Sequence, residues 1–224
     1  MLQHAASVPK VYSSIAAEFS RTRYSHWNKV KLFIESLQKY TVLLDVGCGN
    51  GKYTNVRNDI VYIGCDITKE LLEHANMTKP NDSMKDLFQV SCERLPVRHN
   101  TVGGVICIAV LHHIPSPSAR MAVVVCLIKT LESSGRALIT VWAYEQVNTK
   151  KRDTKWKRIS PDSTDYLIPW NMQSSEKVHW RFYHLFAYDE VKQLCEDVVK
   201  IMEGFVTYSI EFELDNWIMT FSTT

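Results

Sequence analysis

Residues 45–51 read Asp-Val-Gly-Cys-Gly-Asn-Gly, at the end of a short run of branched apolar residues. Gly47, Gly49 and Gly51 permit a tight turn and let a ligand approach the main chain. Asp66 follows Asp45 by 21 residues and closes the next apolar run. That spacing puts a carboxylate where a nucleotide-binding α/β unit holds the hydroxyls of a ribose. The loop is not the Gly-x-Gly-x-x-Gly of dinucleotide sites. An acid ahead of the first glycine suits a ligand with a cationic amino-acid tail. S-adenosylmethionine has a sulfonium and an ammonium, and no pyrophosphate to sit on a helix N-terminus, so it is the expected ligand. The competing readings are glycines that serve geometry alone, an Asp45 that caps a strand end, and an Asp66 that caps the helix from Thr68 onward.

A second group could act on a substrate. His112 and His113 end the fourth apolar run, at the edge where α/β sheets bind ligands. Neighbours at a strand end point opposite ways, so one is expected to face the substrate and the other to pack. Arg120, on the following helix, has a fork that matches a carboxylate, and its alternative is a solvated helix charge. Trp142 and Tyr144 end the next strand and could stack on an extruded base, an interaction worth ~1–3 kcal/mol. Core packing is the equal alternative for Trp142.

These residues need a sheet to hold them. The runs 42–46, 60–65, 102–111 and 138–142 read as buried strands. Helical stretches lie between them at 68–75 and 117–131, the latter with Ser116 as N-cap and Pro117 at its first position. Helical spacing also marks 8–19 and 27–37. The glycine loop is expected to open a further helix. Alternation of strand and helix predicts an α/β fold, a mostly parallel sheet with helices on both faces. Residues 144–165 are polar, basic and aperiodic, and predict an insertion loop. After it come a helix at 189–199 and strand-like runs at 204–212 and 217–221.

The 224 residues suit one domain, and 22% charged residues with many aromatics exclude wholesale disorder. No apolar run approaches the roughly 20 residues of a membrane span, and no signal-peptide core is present at the start, so no membrane is expected as a partner. The six cysteines form no Cys-x-x-Cys pair and read as reduced buried thiols, with no metal site. Cytoplasmic residence, with the nucleus as a second compartment, is the matching expectation. Net charge is only +2, but residues 1–40 hold six basic and two acidic side chains, and 147–158 hold six and one. Residues 159–224 reverse this, with four basic and eleven acidic. Such asymmetry hints at a polyanion partner.

Several stretches together resemble one family: VYSSIAAEFSRTRYSHW (11–27), LLDVGCGNGKY (43–53), GCD (64–66), ICIAVLHH (106–113), ALITVWAYEQ (137–146), IPWN (168–171), RFYHLF (181–186) and NW (216–217). They look like the eukaryotic wobble-uridine tRNA methyltransferases, which stand alone in fungi and are also fused to an AlkB-like hydroxylase in animals. The resemblance implies a Rossmann-like class I methyltransferase fold with a seven-stranded sheet, in one domain. Its parts would be an N-terminal helical lid (1–40), a cofactor-binding core (41–143), the basic insertion loop (144–165) and a substrate-side region with closing strands (166–224). It implies S-adenosylmethionine as cofactor and methyl-esterification of carboxymethyluridine at position 34. The implied partners are a tRNA anticodon stem-loop, not DNA, and a small zinc-binding activator subunit.

On this resemblance Asp45, Gly47, Gly49, Gly51, Asp66, Glu93 and Ile108 bind cofactor. His112, His113 and Arg120 act on the carboxylate. Tyr12, Arg21, Arg23, Tyr24, Trp142, Tyr144, Tyr183 and His184 shape the substrate pocket, and Lys150, Lys151 and Arg152 meet phosphates. The chain departs from the family pattern around Ser91, at Gly103 and at Ala119. A small-molecule methyltransferase and a non-catalytic module that binds cofactor or RNA remain open as alternatives.

Overall fold

A computed structural model describes residues 7–23, 25–78, 84–147, 149–172 and 178–224. Seven strands form one sheet in the order β3-β2-β1-β4-β5-β10-β9. These are β1 (Val42–Val46), β2 (Val61–Asp66), β3 (Lys85–Gln89), β4 (Val102–Ile108), β5 (Leu131–Trp142), β9 (Val206–Glu213) and β10 (Asn216–Thr223). The first five run parallel, and β10 pairs antiparallel with both β5 and β9. The order turns back on itself between β1 and β4, and α/β sheets bind ligands at the carboxyl ends of strands at such a point.

The sheet is covered on both faces. On one, α4 (Pro117–Thr130) and α6 (Tyr188–Ile201) set Val123, Val124, Leu127, Ile128, Val191 and Leu194 against Leu44, Val105, Cys107 and Ile139. On the other, α2 (Asn28–Glu35) packs Val30, Phe33 and Ile34 against Leu43, Ile106 and Leu138. The Ser116 hydroxyl caps α4, accepting from the Ala119 N–H at 3.3 Å. α1 (Val8–Thr22) lies against α3 (Lys69–Thr78).

Three sequence expectations need correction. The glycine loop opens no helix: successive turns carry the chain through Gly51, Thr54 and Val56. Only 14 residues separate β1 from β2, several of them asparagine, aspartate or glycine, and α2 supplies the cover a helix there would give. His112 and His113 lie beyond β4, on a 3-10 turn (Leu111–His113), because Ala109 takes a left-handed φ of 61° and ends the strand. Residues 144–165 are not simply a loop. They hold α5 (Lys150–Lys155) and β6 (Lys157–Arg158), which joins β7 (Asp165–Asn171) and β8 (Val178–His184) in a three-stranded antiparallel sheet.

That small sheet positions the site. Period-two alternation sets Tyr166, Ile168 and Trp170 of β7 opposite Tyr183, Arg181 and His179 of β8, all on one face. Val11 and Ile15 of α1 pack on Trp170, so helix and small sheet together roof the carboxyl ends of the main strands.

Candidate active site

A cleft of about 380 Å³ lies under this roof, within the range of cofactor pockets. Its floor is the glycine loop, the end of β2 and the turn after β4. One end is acidic. Asp45 is buried at the end of β1 and accepts from the Tyr62 hydroxyl at 2.6 Å. Burial pushes its carboxyl up to about 7, against the pull of that hydrogen bond. Asp66 accepts from the Gly49 N–H through Oδ2 at 2.9 Å and from the Thr68 N–H through Oδ1 at 2.8 Å. It therefore closes the turn that leads into α3 and pins the glycine loop while lining the cleft. Burial raises its pKa too, with the two N–H groups opposing the shift. Glu93, Ile108, Gly47 and Gly49 line the same space, whereas Gly51 lies outside it. At Gly51, with φ 70°, a Cβ would meet that of Ala75 at 2.8 Å, so its role is to let α3 approach.

Two buried carboxyls with burial-raised pKa values form a place for a cation. The ammonium and sulfonium of S-adenosylmethionine fit that donor set, and the Asp66 carboxylate fits a diol.

The opposite end is walled by rings. His113 faces the cleft and His112 packs behind it, stacked on Tyr183 at 4.5 Å and 17°. Phe182 offers a carbonyl 2.9 Å from His113 Nδ1, and a carbonyl only accepts, so Nδ1 carries the proton. His113 Nε2 then accepts from the Tyr12 hydroxyl at 3.0 Å, and that oxygen accepts from Arg181 Nη1 at 3.2 Å. Burial depresses the His113 pKa to about 3, and burial likewise holds His112 neutral. Trp142 and Tyr183 complete the wall, 4.7 Å apart. Arg23 reaches the cleft from the end of α1, its guanidinium 5.3 Å from the Trp170 ring.

Other expected site residues lie elsewhere. Arg120 points away from the cleft: it donates to the Ile114 and Pro115 carbonyls at 3.0 and 3.2 Å and to Glu190 at 3.1 Å. Glu190 also meets His184 Nε2 at 2.8 Å, and His184 Nδ1 meets Asp165 at 2.6 Å. Arg120 and His184 thus tie α4, α6 and the small sheet together. Replacing Arg120 by alanine is expected to lower stability by roughly 2–4 kcal/mol with cofactor affinity unchanged, which melting and titration calorimetry would check. The value falls below that of a fully buried pair because the Glu190 side chain is 36% exposed. Tyr144 sits outside the cleft under the Arg152 guanidinium, 4.7 Å from it, and Arg152 donates to the Tyr144 carbonyl at 2.7 Å. Arg21 is exposed on α1, away from the cleft. Tyr24 and the side chains of Lys150 and Lys151 lie outside the described residues.

Two charged residues of the cleft escaped the sequence reading. Lys52 follows the glycines, and Arg181 stands two residues before Tyr183. The signal for Arg181 was available: a period of two places it on the face of Tyr183. Glu145 also gains a role, accepting from the Tyr188 N–H at the start of α6 and from Trp217 Nε1.

Comparison with known proteins agrees with this architecture. A family model described as a methyltransferase domain matches residues 44–139. The tRNA (carboxymethyluridine(34)-5-O)-methyltransferase of Arabidopsis thaliana is 38% identical over 73% of this chain and 38% of its own length. The chain spans little more than a third of several curated relatives it matches. The protein of the same description from Schizosaccharomyces pombe is 30% identical over 94% of this chain and 93% of its own length. Among solved structures, a methyltransferase in complex with the Haloferax volcanii Trm112 activator superposes with a TM-score of 0.68 at 12% identity, covering 97% of both chains, which speaks to fold alone. By its full-length likeness to the fission-yeast protein, the chain belongs to the tRNA (carboxymethyluridine(34)-5-O)-methyltransferase family.

Proposed function

We propose that this protein transfers a methyl group from S-adenosylmethionine to the carboxylate of carboxymethyluridine at the wobble position of tRNA. The observation that carries the reading is one cleft with an acidic end at Asp45 and Asp66 and a ring-walled end at Tyr12, His113, Trp142 and Tyr183. When bound, the cofactor supplies an electrophilic methyl on its sulfonium. A carboxylate of pKa near ~4 is already ionised at pH 7, so no base must take a proton from it. One O–CH₃ bond forms as one S–CH₃ bond breaks, and no proton moves. The protein has to exclude water and hold the oxygen in line. His113 serves the exclusion of water. Its Nδ1–H is spent on the Phe182 carbonyl and its Nε2 on the Tyr12 hydroxyl, so it is a neutral wall that neither protonates the nucleophile nor forms an ion pair with it. Trp142 and Tyr183 offer ring faces to an extruded base. The test is transfer from labelled cofactor to a carboxymethylated anticodon stem-loop and to the unmodified loop. Label on the first alone supports the reading, and equal label on both overturns it.

Asp45 gives the cofactor step a pH dependence. A bound ammonium favours the ionised carboxylate, so binding releases a proton below the group's pKa of about 7. Affinity is expected to rise up to about tenfold per pH unit from pH 5.5 toward 7 and then level off; titration calorimetry should show Asp45→Asn flattening the profile. The stability sign runs the other way. A carboxyl raised to about 7 in the native state contributes stability that is fully present below its unfolded value of ~3.9 and lost as pH rises through 7. Cofactor should therefore protect the protein from heat more at pH 8 than at pH 6.

The stem-loop's phosphates would meet the basic α5–β6 segment, where Lys155, Lys157 and Arg158 are exposed. Replacing Lys150, Lys151 and Lys155 by alanine is expected to weaken all tRNAs alike. The salt slope should flatten by roughly 0.7–0.9 log units per lost contact, and an unchanged slope would remove this surface from the interface. The activator would sit at β3, an edge of the main sheet, with the exposed Met77 beside it at the end of α3. Co-expression with the zinc-binding subunit should raise soluble yield and activity together.

A further inference from the structure

We propose that Arg181 is the receptor for the anionic group of the acceptor substrate, held ready in the cleft without a protein carboxylate of its own. This rests on the reading above and names the part of the site that recognises the acceptor's charge. Arg181 is buried at 6% exposure and lines the cleft from β8. Its guanidinium lies 5.0, 5.1 and 5.8 Å from the ring centroids of Trp170, Tyr183 and Tyr12. Nη1 donates to the Tyr12 hydroxyl, and Nε is buried with no hydrogen-bond partner among the described residues. Arg57 and Arg120, by contrast, have acids: Arg57 pairs with Asp59, and Arg120 with Glu190. A buried cation left unpaired is costly, and it persists where a ligand supplies the counter-charge.

The cleft contains other cations, and their placement divides the work. Lys52 belongs to the acidic end, where its charge is felt by Asp45, and is placed for the carboxylate of the cofactor's amino-acid tail. Arg23 is exposed over the Trp170 ring, and its charge is felt by Lys52 and Tyr183 alike. Arg181 instead shares its surroundings with Tyr12, His113 and Tyr183, at the end walled for a base. A planar fork fits a carboxylate side-on and fixes its orientation, and guanidinium cannot protonate it. Arg181 therefore takes the anchoring part that sequence reasoning assigned to Arg120.

The test measures binding of three anticodon stem-loops, bearing carboxymethyl, its isosteric neutral carboxamide, or no modification, to the protein together with its activator. Wild type is expected to prefer the carboxylate over the carboxamide by roughly ten- to a hundredfold, the scale of a lost charge-assisted contact. Arg181→Gln should erase that preference while leaving S-adenosylmethionine affinity unchanged, which also shows that the cleft is intact. Arg181→Lys, which keeps charge and loses the fork, should recover part. If wild type prefers the carboxylate and Arg181→Gln still does, this proposal fails and the functional reading stands. If Arg181→Gln instead weakens the cofactor, the guanidinium serves the cofactor's tail and the proposal again fails. No preference in wild type would overturn the functional reading itself.

Discussion

Replacing Asp66 by alanine is expected to weaken S-adenosylmethionine binding by roughly a hundredfold or more, the largest loss from any single polar change in the cleft. Three contributions act together. The Gly49 and Thr68 N–H groups lose the acceptor that holds them at 2.9 and 2.8 Å. Each donor left unsatisfied costs about 1–3 kcal/mol. The glycine loop loses its tie to the start of α3, so the cofactor must order it on binding. A ligand diol loses charge-assisted bonds of roughly 1.5–3 kcal/mol each. A cofactor analogue lacking the 2′ hydroxyl separates these effects by a double-mutant comparison. It should bind wild type more weakly than the parent compound and bind Asp66→Ala no more weakly than the parent compound does. If the missing hydroxyl costs the same in both proteins, Asp66 closes the turn before α3 and ties the loop only, and the ribose contact lies elsewhere.

This site was legible in sequence where its logic is local. The glycine loop and the acid 21 residues on lie within two adjacent strands, so spacing along the chain is nearly spacing in space. The main strands were legible for the same reason, as short branched apolar runs. The small sheet was not. Its strands mix tyrosine, tryptophan, histidine and arginine, because one face meets the cleft through Arg181 and Tyr183 and an aromatic cluster with Trp142 and Trp156 through Tyr166 and Ile168. With that sheet unread, the period-two link between Arg181 and Tyr183 had no strand to rest on, and Arg120 took its place on the shape of its side chain and its position after the histidines. What Arg120 does was hidden because its partner Glu190 comes 70 residues later on a separate helix. A buried charge announces itself in sequence only through the element that pairs it, and long-range pairings carry no local signature. Gly103 illustrates the converse. It departs from the family pattern, and a Cβ there would collide with Thr41 Oγ1, so the change belongs with that neighbour's packing and needs no functional cause.

Gly47→Ala should produce the largest loss of stability among changes at the site, roughly 2–5 kcal/mol. Two penalties combine at one atom. The residue sits at φ 74°, where a Cβ meets the following carbonyl at a cost of about 1–2 kcal/mol. The new methyl would also overlap the Cγ2 methyl of Val110, and forcing an extra carbon into packed space costs about 1–3 kcal/mol. Val110 cannot retreat freely, because it starts the turn that carries His112 and His113. Displacing it drags on the hydrogen bonds from His113 to Tyr12 and to the Phe182 carbonyl. The glycine therefore couples the cofactor loop to the acceptor end, and the variant should lose both cofactor affinity and acceptor turnover. Adding Val110→Ala removes the overlap but not the backbone strain. The double variant should be less destabilised than the sum of the two single changes by roughly 1–3 kcal/mol, read from denaturant midpoints at constant slope. It should regain turnover more completely than stability, since the His113 turn is relieved while the left-handed alanine stays. Strict additivity would mean that the loop and the turn move independently, and that Gly47 is required only for its backbone angle.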